Sequence, residues 1–419
     1  MKKVIFSALA MIGMIFSVSA QTVTTKDNDL QYFRDAGYDG LNVFETSKEA
    51  GAEFDGLKVK VGADFALQFQ GLRADNADLG NNFNLPTANL NIDAQLAEGV
   101  RVHLRTYLSS RHHNETWVKG GYLQIDDLGF ILNNESVNKF MEIATIKVGM
   151  DDINYGDAHF RRSDNAAALY NPFVGNYIMD SFSTEAFFEL NLQPKDYIFV
   201  LGLSNGNLNQ TAEVTPTDDA SVRFYTKLGF DKQIQEDLRV RLTGSYTVAP
   251  GTANGGYLYG GDRAGSRYYL TDNFRDGRVN PGFKDMQSYQ INPFVKYRGL
   301  EFFGIFEQTF GYAGDTADIN DAGKYTQVAG ELLYRFGSKE QFYVGGRYNV
   351  VSGYGDYSST METPEAGKTT RFNVGAGWFM TKNIVTKLEY VDQQFDGTNT
   401  WDDPAQNFKG YVVEAVISF

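Results

Sequence analysis

Between residues 57 and 71, LKVKVGADFALQFQG, apolar side chains recur at every second position. Val59, Val61, Ala63, Phe65, Leu67 and Phe69 share one face, against Lys58, Lys60, Asp64, Gln68 and Gln70 on the other. A period of two is that of a β-strand with one apolar and one polar face. Residues 89–96 repeat the pattern, and Glu98-Gly99 turns directly into 100–108, where Val100, Val102, Leu104 and Leu108 oppose Arg101, His103 and Arg105. Segments 122–126 and 141–150 alternate less cleanly. Further strands are expected at 182–192, 197–206, 220–230, 238–248, 290–297, 300–310, 325–336, 341–351, 371–380, 384–391 and 411–419. The pattern predicts about 16 strands, with 14 or 18 following if a hairpin is merged or missed.

The connections carry more information than the count. Short links follow strands 2, 6, 8, 10, 12 and 14, at Glu98-Gly99, 193–196, 231–237, Arg298-Gly299, 337–340 and 381–383. Long links rich in Asp, Asn and Gly follow odd strands, including 151–181, 249–288, 312–324, 351–369 and 394–407. Short turns on one rim and long loops on the other are the mark of an antiparallel transmembrane β-barrel, with periplasmic turns and external loops. The last strand places Tyr411, Val413, Ala415, Ile417 and Phe419 on one face, while Val412 and Val416 join Glu414 and Ser418 on the other. Such a strand is expected to close the barrel against the first and remove the open edge.

Composition sharpens this picture. Aromatic residues are abundant, with 25 Tyr and 32 Phe, yet the mean hydropathy is only −0.35, as half-apolar strands require. At the amino end two lysines, an apolar run from Val4 and Val18-Ser19-Ala20 read as a signal peptide over 1–20. Residues 21–56 follow as a periplasmic N-terminal segment, a tail or short helix too short for a plug domain, and 57–419 form the barrel. The chain has no Cys, which excludes disulfides and thiolate metal sites. A formal net charge of −14 argues against a nucleic-acid partner.

A barrel of this size is too wide for side chains to fill, so function depends on its lining and its narrowest point. The constriction is expected in 151–180, which gathers Phe160, Leu169, Phe173, Val174 and Ile178 in a loop that solvent would not favour. Folded inward, it would bury these residues and bring Arg161 and Arg162, with Asp157 and Asp164, to the pore. On the strands, Arg101, His103, Arg105, Arg223, Lys227, Arg239, Arg241, Lys296, Arg335 and Lys387 alternate to the lumen side. So do Asp64, Asp93, Glu185, Glu189, Glu301, Glu307, Glu331 and Glu389. The expectation is a mixed lumen with a local basic stripe and a possible anion preference. The same charges can instead neutralise one another across adjacent strands and select nothing.

The export signal, the strand pattern, the carboxyl-terminal Phe and the third long loop resemble the general porins and the phosphate-selective porin-like group. Residues 147–180, KVGMDDINYGDAHFRRSDNAAALYNPFVGNYIMD, are most similar to porin-like proteins of the Bacteroidetes. The resemblance implies an outer-membrane location among lipid and lipopolysaccharide, delivery by the barrel assembly machinery through the terminal Phe, passive diffusion of small solutes, and often a homotrimer. A dense lysine ladder along the wall is missing from the sequence, which speaks against phosphate selectivity.

Other chemistry finds little footing. His103, His112, His113 and His159 have no metal-ligand spacing. The acidic stretches 75–78 and 315–321 allow weak Ca²⁺ binding without matching a helix-loop-helix site, and 251–261 lacks the ending of a phosphate loop. Ser163 and His159 have no ordered acidic partner, so an enzyme is not expected. The alternative is a receptor or structural barrel with a closed lumen, binding a partner through its long external loops.

Overall fold

In a computed structural model, the described residues are 30–48, 52–75, 78–108, 117–164, 167–206, 222–250, 257–260, 268–269, 271, 277–312, 323–354, 367–396 and 407–419. Residues 1–20, expected as an export leader, together with His112, His113, the acidic stretch 315–321, residues 76 and 77 and most of 251–261, lie outside them.

The alternating segments form 16 strands: β1 (Lys58–Ala74), β2 (Asn82–Ala97), β3 (Val100–Leu108), β4 (Trp117–Ile125), β5 (Ala144–Asp152), β6 (Thr184–Leu192), β7 (Tyr197–Ser204) and β8 (Arg223–Gln235). They continue as β9 (Leu238–Ala249), β10 (Lys284–Tyr297), β11 (Leu300–Tyr312), β12 (Gly323–Phe336), β13 (Phe342–Tyr354), β14 (Gly367–Thr381), β15 (Ile384–Asp396) and β16 (Phe408–Ser418). Each pairs antiparallel with its neighbours in the chain, and β16 returns to β1, so the sheet is a closed barrel. Closure runs from Asp64 opposite Ser418 to Ala74 opposite Phe408. Two backbone hydrogen bonds between Ala63 and Phe419 extend it by one pair. Every described strand thus has a neighbour on both sides, which is what a strand structure in hydrocarbon needs.

Several strands run past their expected ends towards the long loops, among them β2, β10 and β14, because polar residues there still satisfy the ladder. One link departs from the short-turn pattern. Residues 126–143 join β4 to β5 on the short-turn rim and hold a helix, α1 (Glu135–Met141). Asn134 caps it by accepting a hydrogen bond from the Ser136 N–H at 2.9 Å.

The outward face is apolar. Val59, Val61, Phe65 and Leu67 on β1, Leu104 on β3, Leu332 on β12 and Leu388 on β15 are all exposed. Near the short turns the outward rings of Tyr334, Phe336, Phe342 and Trp378 stack in sequence, with centroids 6.1, 5.6 and 5.9 Å apart. An apolar band with an aromatic girdle is the exterior of an outer-membrane barrel.

The interior is not a smooth polar wall. Ala66, Leu333, Tyr343, Phe379, Val385 and Val416 point inward from β1 and β12–β16, and they are buried against Ala167, Ala168, Leu169, Tyr170 and Phe173 of the β5–β6 connection. Two inward glycines on β14 make room. A Cβ at Gly375 would lie 3.2 Å from the Phe173 ring, and one at Gly377 would lie 2.1 Å from the Tyr343 ring.

Candidate functional site

The β5–β6 connection, residues 153–183, folds into the barrel and is anchored by polar contacts at its turns. Asp157 receives hydrogen bonds from Arg241 Nε and Nη2, both 2.8 Å, from Lys227 Nζ at 2.9 Å and from Thr243 Oγ1 at 2.7 Å. Farther along, the Val174 N–H donates to Glu389, the Ile178 N–H to Asn349 and the Met179 N–H to Gln327. Arg347 and Lys387 donate back to the backbone oxygens of Gly175 and Ala168. Polar wall side chains thus satisfy the backbone of an irregular segment, which has no regular ladder of its own.

Residues 30–48, part of the 21–56 segment expected as a periplasmic tail or short helix, hold a short 3-10 turn at Gly37–Gly40 and cross the short-turn mouth of the barrel against inward side chains. The Gln31 N–H donates to Gln95 at 3.1 Å, the Tyr38 N–H to the Lys382 oxygen at 2.6 Å, and Asn42 Nδ2 to Glu301 at 2.7 Å. Glu45 pairs with Lys227 at 3.2 Å and Arg241 at 2.8 Å, and Lys48 with Asp126 at 3.1 Å. The two insertions also touch. Arg161 donates to Asn42 at 2.6 Å, the Tyr170 hydroxyl to the Asp35 oxygen at 2.8 Å, and the Arg34 guanidinium lies 3.8 Å over the Tyr170 ring.

Every expected constriction residue lies in this plug, but none is bare. Arg161 is 3% exposed and pairs with Glu331; Arg162 is 4% exposed, with its Nε donating to both Asp180 oxygens at 2.9 Å. Asp164 meets Lys119 at 2.9 Å and Arg162 at 3.1 Å. Ser163 donates to the Val174 oxygen, and His159 is held between Asp152 and Asn154, so the two form no nucleophile-base pair.

The wall charges follow the same rule. Arg223 pairs with Glu185, Arg239 with Asp231, Lys296 with Glu340 and Glu301, Arg335 with Glu301, and Lys387 with Glu414. Glu189 accepts from Tyr225, Glu307 from Tyr259, and Glu331 from Arg347 and Tyr177. The basic stripe Arg101, His103 and Arg105 faces inward as the alternation predicts. Arg101 and His103 share Asp93, and Arg105 meets Asp151 at 3.0 Å.

Electrostatics fasten the insertions. Burial raises the Asp157 carboxyl, but Arg241 and Lys227 outweigh it and hold the group well below the usual carboxylate range. Burial likewise works against charge on Glu45, and Arg241 and Lys227 reverse it, bringing the pKa down to about 2. Burial pushes the Tyr170 hydroxyl up to about 12.

Between this plug and the wall of β1–β6 remains a cavity of about 220 Å³. Its wall side carries Lys60, Asp64, Asp93, Arg101, His103, Arg105, Tyr122, Lys147, Asp151 and Glu189, and its plug side Arg34, Glu45 and Phe160. Glu45, Tyr122 and Lys147 were absent from the expected lumen set. Tyr122 and Lys147 belong to the two strands of poorest alternation, and Glu45 precedes the first strand. Among the described residues no group of three or more His, Cys, Asp or Glu is placed to hold a metal ion.

No family model matches the chain, and no curated protein is significantly similar to it. Solved structures do match in fold. The outer membrane channel DcaP of Acinetobacter baumannii superposes with a TM-score of 0.55 at 12% identity, over 87% of this chain and 98% of that one. Outer-membrane expressed OmpT of Vibrio cholerae gives 0.53 at 10% identity, over 88% and 99%. At such identity the likeness is one of fold: the chain is a 16-stranded antiparallel closed β-barrel of the outer-membrane porin type.

Proposed function

We propose that this protein is an outer-membrane diffusion channel for small hydrophilic or ionic solutes. The supporting observation is the cavity along β1–β6, a polar and charged space between the inserted segments and the wall. On this reading residues 1–20 are the export leader and residues 30–48 enter from the periplasmic mouth. Residues 153–183 and 30–48 narrow the path from opposite sides. Since Arg101, His103 and Arg105 are each tied to a carboxylate, the path carries both signs of charge and any preference for anions is modest. The apolar exterior meets lipid or, in a homotrimer, neighbouring copies.

The ion pairs that lock Arg161 and Arg162 favour a second reading, a receptor or structural barrel with a closed lumen. Single-channel conductance of the refolded chain in a planar bilayer, with the reversal potential under a salt gradient, separates the two. A steady open conductance with weak ion preference is expected. A folded barrel that never conducts would reject the channel and favour the closed form.

A further inference from the structure

The short links of the short-turn rim are polar, as in Gln193-Pro194-Lys195-Asp196 and Gly337-Ser338-Lys339-Glu340. The β4–β5 link is different. It carries Phe130, Ile131 and Leu132 in succession, 54%, 64% and 54% exposed, and then turns polar at once with exposed Asn133, Asn134 and Glu135. Water does not favour three adjacent large apolar side chains on one tip. Nor is the tip slack. The Ile131 and Leu132 N–H groups both donate to the Leu128 oxygen, at 2.9 and 2.8 Å, and the Gly129 N–H donates to the Asp127 side chain. A turn that satisfies its own backbone donors can leave water without stranding them.

The base of the link is fixed to the barrel. The Asp126 N–H donates to the Gly99 oxygen at 2.6 Å, and its carboxylate accepts from Gln124 at 2.7 Å and pairs with Lys48 of the N-terminal strap. Asp127 lies so close over Gly99 that a Cβ there would be 2.4 Å from its own. The link leaves β4 beside an aliphatic row in which Val100 lies opposite Ile125, Ile125 opposite Ile146 and Ile146 opposite Leu190. Their strand neighbours Arg101, Gln124, Lys147 and Glu189 face the cavity, so the row faces outward at the edge of the apolar band.

The geometry points to Phe130, Ile131 and Leu132 as a membrane anchor, inserted among the acyl chains of the periplasm-facing leaflet, with the polar residues from Asn133 onward among the headgroups. The anchor continues the lipid-facing surface of the barrel beyond its last strand pair. A second copy of the chain is a poorer occupant, because three side chains on one tip cover far less than the roughly 800 Å² a side that a stable protein interface buries. Since Asp126 also holds Lys48, the anchored link ties one end of the strap to the membrane. None of this depends on whether the lumen conducts.

The chain has no Cys, so Ile131→Cys in the full mature protein gives a single site for an environment-sensitive fluorophore. Ser338→Cys, on the polar β12–β13 turn of the same rim, is the comparison. Both are refolded into vesicles of phosphatidylethanolamine and phosphatidylglycerol and quenched either by iodide on both sides of the bilayer or by doxyl groups on the lipid chains. At 131 the lipid quencher should act severalfold more strongly than at 338, and iodide severalfold more weakly, at every ratio of protein to lipid. Iodide access at 131 equal to that at 338 would overturn the anchor and leave the tip to a soluble partner. Shielding from iodide without lipid quenching, or shielding that arises only as barrels are crowded together, would overturn it in favour of a second copy. If the label at 131 disturbs folding, judged by heat-modifiable gel mobility, Phe130→Cys and Leu132→Cys decide by the same two quenchers.

Discussion

Asp157 and Arg241 meet through two parallel hydrogen bonds, Nε to Oδ2 and Nη2 to Oδ1, each 2.8 Å. The pair fastens the inserted β5–β6 connection to β9, and through Glu45 the same guanidinium holds the N-terminal strap. One wall arginine thus joins both parts of the plug.

Asp157→Asn keeps the shape of the side chain and removes its charge. Glu45 would then be the one plug-side carboxylate left to Lys227 and Arg241 among the described residues. Breaking a buried pair costs about 3–5 kcal/mol, and the remaining carboxylate should hold the loss near the low end. Hydrogen exchange should accelerate at residues 153–164 and stay unchanged in the strands.

The pH dependence follows from the lowered pKa of Glu45, which falls from 4.5 to about 2 through the excess of Arg241 and Lys227 over burial and the nearby Asp157. A carboxyl lowered on folding stabilises fully above its unfolded value, and the contribution is lost as pH falls through the folded one. Strap attachment should be constant from pH 7 to about 5 and weaken between 4.5 and about 2. Glu45→Gln should remove that dependence, read by protease access to residues 30–48 across the pH range.

Phe173 anchors the plug to the far wall, buried against Gly375 and under the Arg347 guanidinium at 4.5 Å. Phe173→Ala should cost about 3–5 kcal/mol of docking. Protease sensitivity within 153–183 should rise while the heat-modifiable gel mobility of the barrel is retained. Gly375→Val should do the same from the other side by filling the space of the ring.

Deleting residues 30–48 removes contacts to Gln95, Lys382, Glu301 and Lys227 at the short-turn mouth without touching a strand pair. The barrel should still assemble, and single-channel conductance should increase. An unchanged conductance would place the restriction elsewhere.

Much of the barrel was legible because each strand needs only a local rule, alternation, and each hairpin only a turn. That rule placed Arg101, Arg105, Arg223, Lys227, Arg241, Glu301 and Glu307 on the inward face, where they are buried. It misread strand ends, because polar residues beyond the apolar run still pair. Lys147 and Tyr122 escaped because β4 and β5 carry irregular positions such as Gly149, whose φ of 154° would strain most other residues. Val412 and Val416 held a clue that alternation alone did not use. They are apolar on the wet face, and each is buried by the inserted connection.

The sequence by itself determined the alternating strands, their inward and outward faces and the segregation of short turns from long loops, since these depend on neighbours two residues apart or on a single hairpin; closure at 16 strands rather than 14 or 18 came from the tertiary structure. Only the tertiary structure decided that residues 30–48 enter the mouth, that Arg161 and Arg162 are paired rather than open, and that free space lies along β1–β6. Those outcomes depend on contacts between residues far apart in the chain, such as Asn42 with Glu301 and Asp157 with Arg241. No periodicity encodes them; they exist once the barrel closes and brings buried charges within reach of one another.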